Sequence, residues 1–166
     1  MTLEKIPAGS AVFLDSTIFV YHFTGASRQC RSLLERCERG EVRGMTSAVV
    51  VAEVAHRMMM IEALARRLVE GKGIPAKLRA RPATVRKLVT YQEQVAAIPL
   101  MGIQVQPVDL ALLLAAADLR KAEGLLVNDS LVAAGAIAAG AGVLASADRD
   151  FRRLDAPEIA WPTDLA

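Results

Sequence analysis

Sulfur and imidazole ligands are scarce in this chain, with two cysteines and two histidines in 166 residues. Cys30 and Cys37 stand seven apart in an expected helix, roughly 10 Å along its axis, too far to bridge one another. A zinc site would have to recruit His22 and His56 at irregular spacing, which argues against one. Both thiols read instead as buried and free, in a reducing compartment. A strong excess of one charge is also missing. The formal net charge is +2, so total charge does not imply a nucleic-acid partner. Long apolar runs are absent too. Asp15 interrupts the only N-terminal candidate for a leader, and the uncharged stretch 130–147 is Ala- and Gly-rich and marginal in length. It reads as a buried helix plus strand, not a membrane span, and the expected location is the cytoplasm. No internal repeat or low-complexity segment interrupts the chain.

What the chain does have is apolar residues, 53% of the total, much of it Ala, Val and Leu. That suits helices packed on both faces of a sheet, or a surface kept for a second copy, so a homodimer is expected. The length fits one domain over 1–166. Short apolar runs at 12–14, 42–45, 102–105, 143–145 and 159–160 read as strands and alternate with helical segments, which argues a doubly wound, mainly parallel α/β sheet. Ser27 caps a helix whose Cys30, Leu33, Leu34 and Cys37 form an i, i+3, i+4, i+7 stripe. A long helix is expected over 48–70, a loop over 71–82 and a further helix over 84–97, with about 71–99 forming a helical, basic insertion. Between Arg66 and Lys87 lie eight bases and one acid. Within it Arg79, Arg81, Arg86 and Lys87 are candidate RNA-binding residues, with a solvated loop as the equal alternative.

Most of the eighteen acids lie among other charges. Asp15 ends the first strand, Glu53 sits in Val49–Ala55 with no charge within two residues, and Asp129 follows Leu125-Leu126-Val127 and opens an apolar helix. Asp148 follows the strand at 143–145. Strand ends of a parallel sheet share one edge, where ligands of open α/β sheets bind. Four carboxylates there repel one another unless a divalent cation sits among them, and oxygen-only ligands suit Mg²⁺ or Mn²⁺. The chemistry that follows is metal-assisted phosphodiester hydrolysis. Each acid also has a plainer reading: Asp15 and Asp129 as helix N-caps, Glu53 paired with Arg57, Asp148 as a turn residue. No histidine is placed as a base, since His56 falls three residues past Glu53.

The order Leu14-Asp15-Ser16, Thr46-Ser47 before Glu53, Asn128-Asp129 opening an Ala-rich helix, then Leu144-Ala145-Ser146-Ala147-Asp148-Arg149-Asp150-Phe151, resembles a PIN-domain ribonuclease, and is most similar to the VapC-type toxins of toxin–antitoxin pairs. The likeness runs from about Ala11 to Ile159. It implies a three-layer α/β/α sandwich and an endoribonuclease whose Mg²⁺ or Mn²⁺ is held by Asp15, Glu53, Asp129 and Asp148. It also implies support from Ser16, Ser47, Asn128 and Ser146, with Asp150 as understudy to Asp148, the most variable acid. An RNA substrate and a cognate antitoxin follow as partners. The 71–99 region is longer and more basic than the minimal fold needs. Two other readings compete: an inactive RNA-binding or assembly module, and an aspartyl-phosphate phosphotransferase using Asp15. The second usually wants an acid two residues on, where Thr17 stands.

Overall fold

The computed structural model describes residues 1–165. Five short strands, β1 (Ala11–Leu14), β2 (Arg43–Ser47), β3 (Gln104–Gln106), β4 (Val143–Ala145) and β5 (Glu158–Ala160), form one parallel sheet in the order β3-β2-β1-β4-β5. The chain winds outward from β1 to β3, then crosses back to β4. The order therefore reverses between β1 and β4, and the crevice beyond their carboxyl ends is where an open α/β sheet takes its ligands. Leu14 is in register with Ala145 across this switch point.

Eight α-helices surround the sheet among the described residues: α1 (Ser16–Phe23), α2 (Arg28–Glu38), α3 (Ala48–Ala65), α4 (Ile74–Arg79), α5 (Pro82–Val85), α6 (Thr90–Ala97), α7 (Leu110–Glu123) and α8 (Val127–Ala138). Val12, Phe13 and Leu14 are buried, as both faces of a covered parallel sheet require. Two glycines show how the layers approach. A side chain at Gly44 would meet Cys37 Sγ at 2.8 Å, and one at Gly135 would meet Phe13 Cζ at 3.1 Å. Val12 is in register with Gly44 and Phe13 with Met45. Alternation then puts α2 on one face and α8 on the other. The architecture is the expected α/β/α sandwich with a parallel central sheet. The α2 stripe is buried, and both cysteines are free thiols with burial raising each to about 11.

The basic region differs from expectation. The stretch expected as a loop contains α4, and the single helix expected over 84–97 is broken into α5 and α6. Ile74, Leu78 and Leu88 supply the reason: with Ala63 and Val69 they bury a small cluster of their own against the end of α3. Arg67 enters the segment in the left-handed region, at φ 53°. The carboxylate of Glu62, buried on α3, then fastens the far side. It accepts from the backbone N–H groups of Val89 (3.1 Å) and Tyr91 (3.0 Å) and pairs with Arg66 at 2.9 Å.

Candidate active site

Asp15 ends β1 and caps α1, and it is 4% exposed. Its Oδ2 accepts hydrogen bonds from the Thr17 backbone N–H (3.3 Å), Thr17 Oγ1 (2.7 Å) and Ser146 Oγ (2.7 Å). Both hydroxyls also accept an N–H from the segment after β4, Thr17 Oγ1 from Ala147 and Ser146 Oγ from Asp148, each at 2.9 Å. Two relays thus bolt the end of β1 to the end of β4. Among the described residues none of these bonds reaches Oδ1, which keeps its lone pairs for another partner. The N-cap reading of Asp15 is correct for one oxygen and leaves the other available.

Glu53 lies on α3, half-buried, and Ser16 Oγ donates to its Oε1 at 2.9 Å. The pairing with Arg57 also exists, at 3.8 Å. Asp129 is not an N-cap. Leu126 takes that position and α8 begins at Val127, which places Asn128 and Asp129 inside the first turn. A carboxylate there faces the positive end of the helix, yet its carboxyl is pushed up to about 6. Burial is the largest cause, followed by the charges of Asp148, Asp15, Asp150 and Glu53. The fold thus gathers four further acids around Asp129, the surroundings that a bound cation relieves. Asp148 caps the short 3₁₀ turn Arg149–Arg153 by accepting from the Asp150 N–H at 2.9 Å, so its turn role is real as well. Asp150, half-exposed, pairs with Arg153 at 3.1 Å.

The supporting set is partly redistributed. Ser16 and Ser146 touch site carboxylates. Ser47 does not: it is fully buried and its Oγ caps α3 by accepting from Val50 N–H, because β2 runs straight into that helix. Asn128 is exposed and has no side-chain hydrogen bond among the described residues. Thr17 is the residue the sequence reading missed. In the sequence it stands only as one of two hydroxyls after Asp15, at the place where a phosphotransferase would want an acid. His56 is exposed and, among the described residues, forms no hydrogen bond or ion pair with the acids. In the basic segment Arg79, Arg86 and Lys87 are exposed and without an ion pair among the described residues. Arg81 reaches the Leu68 carbonyl at 3.5 Å and Lys77 holds that of Glu70, so these two fasten the loop between α3 and α4.

Among the described residues no three His, Cys, Asp or Glu groups already stand close enough to ligate one ion. The donor set fits a hard cation all the same: carboxylates alone, one anchored through a single oxygen, one destabilised by its neighbours. No helix among the described residues is long and apolar enough to cross a membrane. Comparison with curated protein sequences finds no match. Solved structures do resemble the fold. VapBC2 from Rickettsia felis, bound to a DNA fragment from its promoter, superposes with TM-score 0.58 at 18% identity, covering 92% of this chain and 98% of that one. Mycobacterium tuberculosis VapC20, a sarcin-ricin-loop-cleaving toxin, gives 0.55 at 17%, covering 86% and 93%. A protein from Pyrobaculum aerophilum gives 0.52 at 15%, covering 92% and 91%. The PIN domain family model matches residues 12–157, the span from β1 to the residue before β5. With the fold, the switch-point acids and that match together, the chain belongs to the PIN-domain family.

Proposed function

We propose that this protein is a metal-dependent endoribonuclease that hydrolyses RNA phosphodiester bonds, and that it is the toxin of a type II toxin–antitoxin pair in the cytoplasm. The observation that carries the reading is the placement of Asp15, Asp129 and Asp148 beside the β1/β4 switch point, with Glu53 tied to the start of α1 through Ser16; burial and these neighbouring acids push the Asp129 carboxyl up to about 6. A cluster of that kind facing a polyanion makes sense only with a cation between them. Asp15, Glu53, Asp129 and Asp148 would hold Mg²⁺ or Mn²⁺, with Asp150 close to the last. When bound, such an ion neutralises charge on the scissile phosphate and acidifies the attacking water. The chain's own part is placement. Thr17 and Ser146 fix Asp15 through Oδ2, Ser16 fixes Glu53, and the first turn of α8 fixes Asp129.

The exposed cations Arg79, Arg86 and Lys87 would track the RNA backbone away from the cut, since the basic segment starts about 18 Å along α3 from Glu53. Arg81 contributes less, being turned toward Leu68 O. A cognate antitoxin would lay an amphipathic segment across the acidic side, and the resemblance to a VapBC complex supports such a partner. A second copy would cover Leu110, Leu113 and Leu114, which stand exposed on α7 at i, i+3 and i+4. Purified protein incubated with total RNA in Mg²⁺ or Mn²⁺, and in EDTA, tests the reading. Cleavage that needs metal and both Asp15 and Asp129 is the expected result. A folded, metal-supplied protein that cuts nothing would remove it.

A further inference from the structure

Among the described residues three acid–arginine pairs stand four residues apart on a helix, and they do not close alike. Arg31 reaches Glu35 at 2.8 Å and Arg66 reaches Glu62 at 2.9 Å, but Arg57 Nη1 stands 3.8 Å from Glu53 Oε1. Ser16 Oγ donates to that same Glu53 oxygen at 2.9 Å. Arg57 is left with a 3.5 Å contact to the serine hydroxyl as its one hydrogen bond among the described residues. A guanidinium carries five N–H donors in a planar fork, so most of its bonding capacity is unused. Its side chain is 35% exposed, and an open pair of that kind holds little stability. The other arginine paired with an acid of this cluster, Arg153, is closed onto Asp150 at 3.1 Å. Arg57 is therefore a loosely committed cation beside acids that a phosphate chain must approach.

We propose that Arg57 holds a phosphate of the bound RNA strand at the Glu53 side of the site. The fork of a guanidinium matches two phosphate oxygens at once, and Ser16 has relieved it of the duty of orienting Glu53. The proposal rests on the nuclease reading above. Its test is binding of a short fluorescein-labelled oligoribonucleotide of mixed sequence, in Mg²⁺ buffer over a salt series, on an Asp129→Asn background that does not cut. Arg57→Gln weakens binding about tenfold and lowers the slope of log affinity against log salt by about 0.7, the contribution of one single-strand phosphate contact. Arg57→Lys restores the slope, and Arg31→Gln, a distant control, changes neither. On the otherwise unaltered protein without RNA, Arg57→Gln leaves Mn²⁺ binding equal or tighter, because a positive charge beside Glu53 has gone. Unchanged RNA affinity and slope in a folded Arg57→Gln protein would overturn the proposal, as would weaker Mn²⁺ binding, which marks a residue that only orients Glu53. If the parent binds no RNA, the nuclease reading falls and takes this inference with it; if only the Arg57 variants behave like the parent, the inference alone falls.

Discussion

Glu62 and Asp129 both sit on helices flanking the same sheet, and their carboxyls are displaced in opposite directions. Burial would raise Glu62, but the Tyr91 N–H, the Arg66 guanidinium and the N–H groups of Val89 and Thr90 outweigh it and hold it below the usual range. Asp129 meets burial together with the charges of Asp148, Asp15, Asp150 and Glu53 and rises to about 6. One acid is supplied with donors by the chain; the other has none among the described residues, and in the proposed function a cation takes their place. On that reading the difference separates an acid that fastens structure from one that would serve chemistry.

Asp129→Asn separates the two acids most directly. RNA cleavage should fall by at least ~100-fold, the scale of losing one charge-stabilising group, while the metal-free protein melts higher than wild type at pH 7.5. A variant that melts lower would make Asp129 a structural acid like Glu62. The mirror experiment is Glu62→Ala, which strands Arg66 and several backbone donors. It should cost about 2–3 kcal/mol in urea unfolding, and leave residual cleavage by the folded fraction close to normal.

Acid titration of thermal stability sharpens the contrast. Asp129 has a folded value above its unfolded one, so the folded state binds the extra proton, and metal-free stability falls as pH rises from about 4 to about 6. The melting advantage of Asp129→Asn should be absent near pH 4 and full above pH 6. Glu62 has the opposite sign: its contribution is present above the ordinary carboxylate range and lost as pH falls through its lowered value. The deficit of Glu62→Gln should therefore shrink in acid. A smaller effect is expected at the surface, where neutralising Arg79, Arg86 and Lys87 together should flatten the salt dependence of RNA binding without moving the melting temperature. Smallest is Arg66→Ala, whose half-exposed guanidinium should be worth about 0.5–1 kcal/mol in the same urea assay.

Much of the sheet was legible because its strands are short apolar runs punctuated by glycine, proline and hydroxyls, and Asp15 was legible because it ends one of them. The same criterion that marks Glu53, an acid with no charge within two residues, marks Glu62 equally, between Met60-Ile61 and Ala63-Leu64. Sequence spacing could not tell them apart. Glu62 meets the 89–91 backbone only because the basic segment folds back onto α3. The helix α4 and the break between α5 and α6 were unreadable for a related reason, since both depend on a shared cluster and neither α4 nor α5 has a full amphipathic repeat. Thr17 shows the limit at closer range: its hydroxyl matters through Ala147, which no local pattern connects to it.

The two hydroxyl relays from the end of β1 to the segment after β4 have a consequence for synthesis. Asp15 leaves the ribosome early, but the Ser146 hydroxyl that steadies it lies 131 residues later. A nascent chain holding β1, α1 and even α3 has Asp15 and Glu53 without Ser146, Asp148 or the loop N–H groups that tune Thr17. The acidic cluster is therefore completed only after β4 and the segment behind it have been made, and the proposed nuclease would stay unarmed until then beside the RNA-rich machine that builds it.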